Sequence, residues 1–474
     1  MRQSGQKLLA FIGIAVACIA QPANAQVPAP AVSADALPDV PPTPPGEDPF
    51  PFFDNYSWRS FIALNWPAIS GADSRGLPDT LKAFGDTNGP RVWSTWKSRY
   101  EIFQPSGAVP SAWTSYDGVN PCGVSNQTVT LRSFSAFADF NQAIFSLSSH
   151  GNPLVAQNRT YLRYEVRVNR PQFDSIVQNK WYLADNLPKT STPVPFNNGS
   201  TEIKAAWRIL TDADTAEMRK RYYIVPAAQV LDVTSGQCVA RDIALVGFHI
   251  VTKTPHRPQW IWSSFEHVDN VPGLSSEPQP PAGIQRSFNN PGQPQTLIPQ
   301  NRPPRLSPDN PPVADPPPMQ VVRKQAIKSQ TMDMNRTYWN LPEIKGTVWQ
   351  NYMLVMTQWP TQVAPESPTN NGAPFPSSGS ALSNTTMETY FQFDDGTGHC
   401  MACHHVSNKQ GRDFVMFVTF DAFRPGAPDV NAFARGPTVA RASGDQVRRS
   451  RETLMSDPLI KSLSDFFEAT RDKR

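Results

Sequence analysis

Short β-like runs, in which apolar residues are set between polar and turn-forming ones, recur through the first part of the chain. They are Thr128–Phe134, Tyr161–Val168, Glu202–Ile209, Arg221–Val225 and Ile243–Thr252. Such runs predict strands rather than long helices. Pro171–Leu187 departs from that rhythm and predicts a helix with proline near its start. Thr347–Gln358 is a later strand candidate, with Trp349, Tyr352 and Trp359 in or beside it. Near the C-terminus the period becomes helical. Asp457 is placed to cap the helix and Pro458 to open it, and Leu459, Ile460, Leu463, Phe466 and Phe467 form one apolar stripe. The pattern predicts an α+β chain: a large, mainly antiparallel-β domain followed by a small helical segment at the C-terminus.

Proline supplies the punctuation, at 49 of 474 residues, about twice average usage. Residues 26–50, rich in Pro and Ala, read as an extended leader. Residues 271–318 hold 15 prolines, so no core strand or helix is expected there. That stretch is either an exposed excursion or an interdomain linker. A second breaker rich in Pro, Ser and Gly spans 365–383. The divisions that follow are 1–25, the leader 26–50, a large α+β domain 51–383 containing the excursion 271–318, and a C-terminal segment 384–474.

The first 25 residues read as an address. Arg2 and Lys7 give a positive start, Leu8 to Ala20 is apolar, and Ala23-Asn24-Ala25 offers a small-x-small cleavage pattern, so the mature chain is expected to begin near Gln26. The apolar stretch is too short for a comfortable membrane span, and no other run is long enough to be one. A lipoprotein signal ending at Cys18 is the alternative, and Ala15-Val16-Ala17 matches its leucine-first box poorly. Export to the periplasm or medium is expected, with no transmembrane span after signal removal. Hydrophobic residues make up 39% and aromatics 10%, enough for a sizeable core. A net charge of +3 without a long charge run argues against nucleic acid as a partner and implies little electrostatic steering.

Export makes the cysteines informative, because the compartment is oxidising. With Cys18 removed, Cys122, Cys238, Cys400 and Cys403 remain. The last two belong to Cys400-Met401-Ala402-Cys403-His404, a C-x-x-C-H sequence expected by chance about once in a thousand chains of this composition. On one helical turn, two thiols so spaced can add to the two vinyl groups of a single haem, and the adjacent histidine is carried under the ring to the iron. The alternatives are a redox C-x-x-C pair, which lacks its βαβ setting here, a plain disulfide, or half a zinc site, for which only His399 and His405 lie nearby. Cys122 and Cys238 most simply pair with each other; otherwise they are two buried free thiols. No repeat, P-loop, G-x-G-x-x-G, G-x-S-x-G or H-E-x-x-H is present.

At this motif the sequence resembles a c-type cytochrome. The resemblance implies one covalent haem c held by Cys400 and Cys403 in a small helical, cytochrome c-like C-terminal domain, with His404 as proximal iron ligand. Met455 lies just before the terminal helix, as in small cytochromes whose methionine loop precedes a C-terminal helix, and becomes a candidate sixth ligand. Met416, an open position, or a ligand from the large domain are the other possibilities. Trp58-Arg-Ser-Phe-Ile-Ala-Leu-Asn-Trp-Pro, the stretch His249–Asn270, Thr347-Val-Trp-Gln-Asn-Tyr and Asn384-Thr-Thr-Met-Glu-Thr-Tyr-Phe together resemble exported bacterial proteins described as cytochrome c family proteins. That resemblance implies haem and export and names no substrate.

A second constellation lies in Asp242–Asn270, where two β-like runs flank Pro255–Pro258 and predict a hairpin. A turn centred between His256 and Arg257 sets His249 opposite Ser264, with Glu266 as its diagonal neighbour. A slip of one residue sets it opposite Phe265, diagonal to His267. His249, Glu266 and His267 are thus candidates for acid–base work, and satisfied sheet histidines are the plainer reading. Trp260 and Trp262 share a face, as core or as a stacking surface.

The leading expectation is an exported mono-haem c-type cytochrome acting in electron transfer, its large domain docking a redox partner protein or a small-molecule substrate. The rival is a haem c oxidoreductase with an open iron or a His249/Glu266/His267 substrate site. A third class is a Trp-rich binding module with a tethered haem.

Overall fold

The β-like runs assemble into a single curled sheet. The computed structural model describes residues 27–131, 153–190, 193–232, 234–293, 299–302, 313–360, 374–375, 383–392 and 400–425, together with 461 and 465. Its strands are β1 (Lys97–Ser98), β2 (Thr130–Leu131), β3 (Arg163–Val168), β4 (Thr201–Ile209), β5 (Ile224–Leu231), β6 (Cys238–Thr254), β7 (Arg257–His267), β8 (Tyr352–Pro360) and β9 (Pro374–Phe375). Its helices are α1 (Phe50–Leu64), α2 (Arg99–Ile102), α3 (Arg170–Gln178), α4 (Ala216–Arg219), α5 (Ser329–Trp339), α6 (Cys400–Lys409) and α7 (Phe417–Asp421). The architecture is α+β.

The sheet runs β1-β3-β4-β6-β7-β8-β9, with β5 also on β6 and β2 on β5. Only β2 and β5 pair in parallel, so the sheet is mixed and mostly antiparallel. The 17-residue β6 is the hub, flanked by β4, β5 and β7.

Because successive strand residues point to opposite faces, this sheet has two distinct sides. Phe248 and Phe265 point to the side covered by α1, where Phe61 stacks on Phe265 at 4.4 Å and meets Phe248 edge-on at 6.0 Å. Helix α1 carries Phe52, Phe53, Tyr56, Trp58, Phe61 and Ile62, all essentially buried. It is covered on nearly every side, so Asp54, Asn55, Ser57 and Ser60 are buried along with its apolar side chains. Its far side meets α5, where Trp58 stacks on Tyr338 at 4.9 Å and its indole N–H donates to Asn335.

The leader and the excursion both pack onto this body. In the leader, Val40 joins Phe50, Phe53 and Trp359 in one apolar cluster, and the Pro28 carbonyl accepts from Asn55. The excursion 271–318 holds no helix or strand among its described residues. Yet Phe288 within it is fully buried, its N–H donating to the Asn270 carbonyl and its carbonyl accepting from Val321. Proline prevents ladder pairing without preventing an aromatic from reaching the core.

Cys122 and Cys238 form a disulfide that closes a separation of 116 residues and ties the turn after Asn120 to the start of β6. Replacing both with serine is expected to lower stability by about 2–4 kcal/mol through the freer unfolded chain. A urea midpoint that does not move would show the crosslink to be energetically idle.

Among the described residues no helix is long and apolar enough to cross a membrane. The segment 1–25, His399, Met455 and the stripe Leu459, Ile460, Leu463, Phe466 and Phe467 lie outside the described residues.

Candidate functional site

The second side of the sheet carries a polar patch beside an apolar cluster, and it positions the C-x-x-C-H helix. The hairpin pairs His249 with Ser264 and Gly247 with Glu266, the first of the two registers read above. On β4, Lys204 is the other neighbour of His249. Alternation then sets Lys204, His249, Trp262, Ser264 and Glu266 on one face, opposite Phe248 and Phe265.

Residues 384–392 lie along this face and are pinned to it. Asn384 donates to the Ser264 hydroxyl at 3.1 Å and to the Phe265 carbonyl at 2.9 Å. The Thr385 backbone N–H and hydroxyl both donate to Glu266 at 2.9 Å, and Tyr164 donates to the Thr386 carbonyl at 2.7 Å. Gly247 makes room: a Cβ there would sit 2.1 Å from the Thr386 hydroxyl oxygen. A glycine in the central strand is therefore a requirement of close approach. The segment brings Glu388 to 3.6 Å from His249 Nε2.

Helix α6 follows. The Met401 N–H donates to the Gln358 side chain at 2.9 Å, and Met401, Phe414 and Val415 enter the same core as α1 and the sheet. The described part of 384–474 thus shares one core with the large domain. Cys400 and Cys403 are half-buried and unbonded. His404 lies against Trp262, ring centres 4.4 Å apart, and its Nδ1 is 2.7 Å from the Phe414 carbonyl. A carbonyl only accepts, so Nδ1 carries the proton and Nε2 keeps its lone pair. That carbonyl is held by a strained turn: Asp413 and Phe414 have φ of 45° and 64°, a conformation costing about 1–3 kcal/mol per residue. Asp413 holds the turn by accepting from Lys253 at 2.6 Å and from the Phe196 N–H at 2.7 Å, with the Trp260 indole at 3.4 Å. Trp260 and Trp262 both face this segment and serve as packing for it.

Burial sets the protonation states. It pushes the Cys403 thiol up to about 12 and Cys400 well above its usual value, with Glu388 adding to both. It lowers His404 to about 4 against the Phe414 hydrogen bond, and lowers His249 well below its usual range, with Lys204 and His404 adding to the effect. Glu388 is raised to about 7 by burial. The imidazoles are neutral, the form that ligates metal.

The residues fit a covalent haem by the chemistry of their donors. Two unbonded thiols and a histidine with a free Nε2 lie on one turn of α6, and His249 Nε2 is buried without a hydrogen-bond partner. Among the described residues no group of three or more His, Cys, Asp and Glu is assembled to hold a free metal ion. A haem iron needs only axial protein ligands, because the ring supplies the equatorial ones.

Of the three acid–base candidates, His249 and Glu266 share a face as diagonal neighbours and His267 does not. Glu266 is held by Arg323 and Thr385. His267 points to the opposite side of the sheet, stacked on Tyr222 at 3.8 Å, its Nε2–H donating to the Arg221 carbonyl and its Nδ1 accepting from the Asp269 N–H. Only His249 faces α6, and its true neighbours are Lys204 and Glu388. No local signal marked those two, since they meet across strands and from a segment more than 130 residues away. His405 is half-exposed near Phe414, and Met416 is half-buried at the start of α7. Comparison with protein families, with curated proteins and with solved structures finds no match to this chain, so its functional reading rests on this geometry.

Proposed function

We propose that this chain is an exported mono-haem c-type cytochrome whose role is electron transfer, the sheet domain docking its redox partner. The observation that carries the reading is the single helical turn of α6 on which Cys400, Cys403 and a His404 with its Nε2 lone pair occur together. Each thiol S–H would add across one vinyl C=C, forming a C–S bond with the proton taken up at the neighbouring carbon. Nothing leaves and no oxidant is consumed. Bound there, the haem would supply a one-electron iron couple. The protein's own part is to hold His404 through the Phe414 carbonyl, a partner of the kind that fixes the tautomer and orientation of a ligating imidazole. Trp262 packs beside that ring and against Phe414, and the core of the sheet domain keeps α6 in place. A centre fixed covalently is not lost to the medium, which suits export.

The test is production of the full chain in a host with a haem-attachment system. The expected product is coloured, carries the mass of one haem after denaturation, and loses that mass completely in a Cys400→Ala/Cys403→Ala variant that keeps its Cys122–Cys238 disulfide. A colourless wild-type protein would overturn the reading.

A further inference from the structure

Resting on the haem reading, we propose that His249 of β6 is the second axial ligand of the iron, so that two histidines hold it, one from α6 and one from the sheet. The first argument is placement. His249 projects from the centre of the hub strand onto the face that α6 covers, beside Ser264 and Lys204. Glu388, 3.6 Å from His249 Nε2, acts electrostatically on both Cys400 and Cys403, and Lys204 acts on His249, His404 and Cys400 alike. The thiols and both imidazoles therefore face one small neighbourhood.

The second argument is the unmet demand of one atom. His249 Nε2 is buried and has no hydrogen-bond partner, and Glu388 stands beyond hydrogen-bond reach. An orphaned buried nitrogen of this kind is costly to keep, and iron coordination would satisfy it. By contrast His267, equally part of the hairpin, has both ring nitrogens used. The third argument separates histidine from methionine. A buried thioether asks for no polar partner, so Met353, Met356 and Met401 are satisfied as core residues, whereas His249 is not. Neutral imidazole is the ligating species.

The experiment uses the haem-loaded full chain. The wild type is expected to be low-spin, to show the paramagnetic-resonance signature of two axial imidazoles without a methionine–iron charge-transfer band, and to bind no carbon monoxide when reduced. His249→Ala should keep the covalent haem, bind one equivalent of carbon monoxide, and return to the wild-type spectrum on adding imidazole. His249→Met should raise the reduction potential, because methionine ligation does so. A methionine charge-transfer band in the wild type, or a His249→Ala variant that remains low-spin and blind to carbon monoxide, would overturn the assignment while leaving the haem reading intact. Should the alanine variant fail to fold, the wild-type resonance spectrum alone decides between two imidazoles and any other pair. Absence of covalent haem from the wild type would instead sink the reading beneath it.

Discussion

Arg323→Met is expected to be among the most damaging single substitutions in this protein, costing about 3–5 kcal/mol at neutral pH. Arg323 is buried between two carboxylates, pairing with Glu266 of β7 and with Glu277 in the proline-rich stretch at 3.0 Å. Glu266 in turn accepts both donors of Thr385, and Glu277 accepts the N–H groups of Leu274 and Ile327. Methionine fills the volume and removes the cation, so two carboxylates would face each other in the core. Burial already pushes Glu266 above its usual range, and Arg323 is the chief influence opposing it. Without the guanidinium, the folded-state Glu266 carboxyl would shift further up, above its unfolded value. A carboxyl shifted in that direction costs stability at high pH and recovers it as pH falls toward the unfolded pKa. The penalty should therefore shrink on acidification toward pH ~4.5, and adding Glu266→Gln should recover part of it at neutral pH. Urea unfolding at two pH values reads both effects. A loss below about 1 kcal/mol, or one independent of pH, would mean that the triad does not hold the 384–392 segment on the sheet.

The same residues show how far the sequence could be read. The C-x-x-C-H turn was legible because it is local: three side chains on one turn of α6 make it. The His249–Ser264 register was one of two that the sequence offered, because a hairpin transmits its turn position along two adjacent strands. The register survives even though the turn itself is tighter, with Thr254 paired to Arg257 and a bulge between Thr252 and Thr254 absorbing the difference. Trp260 lies in that bulge with φ of 70°, a position that no period of two could reveal. Helix α1 was illegible for the opposite reason. A stripe betrays a half-covered helix, whereas α1 buries Asp54, Asn55, Ser57 and Ser60 together with its aromatics, so polarity and exposure do not coincide. What Glu266 does could not be read either, since its partners Arg323 and Thr385 are 57 and 119 residues further along. Sequence proximity suggested a catalytic trio of His249, Glu266 and His267; alternation turns His267 to the other face, and Glu266, on the face of His249, is engaged by Arg323 and Thr385. Where the leader and the excursion pack could not be read, because composition reports what cannot form a ladder and says nothing of where Val40 or Phe288 finds apolar surface.

His267 is expected to make the fold acid-sensitive, lowering stability by about 3 kcal/mol between pH 6.5 and pH 4. Burial drives its imidazole down to about 4, and the Asp269 carboxylate at 3.8 Å only partly opposes this. Geometry supports the direction. The Asp269 N–H already donates to Nδ1, so a proton arriving there would displace that bond. Arg221 and Arg208 add like charge, and Tyr222 and Tyr352 enclose the ring. In this window the unfolded chain binds the proton and the folded one refuses it. The contribution is thus fully present above pH 6.5, is lost as pH falls, and levels off below 4. Asp54 and Glu202, each raised to about 7 by burial, act in the opposite sense over an overlapping range. The total pH profile therefore mixes signs, and only a difference isolates His267. In His267→Gln the slope of unfolding free energy against pH between 4 and 6.5 should fall by up to about 1.4 kcal/mol per unit, whatever constant offset the substitution adds. Parallel slopes in variant and wild type would show that His267 takes up its proton in the folded state. The ring would then be free to do proton chemistry, and its hydrogen bonds and Tyr222 stack could not be the lock that this structure makes them.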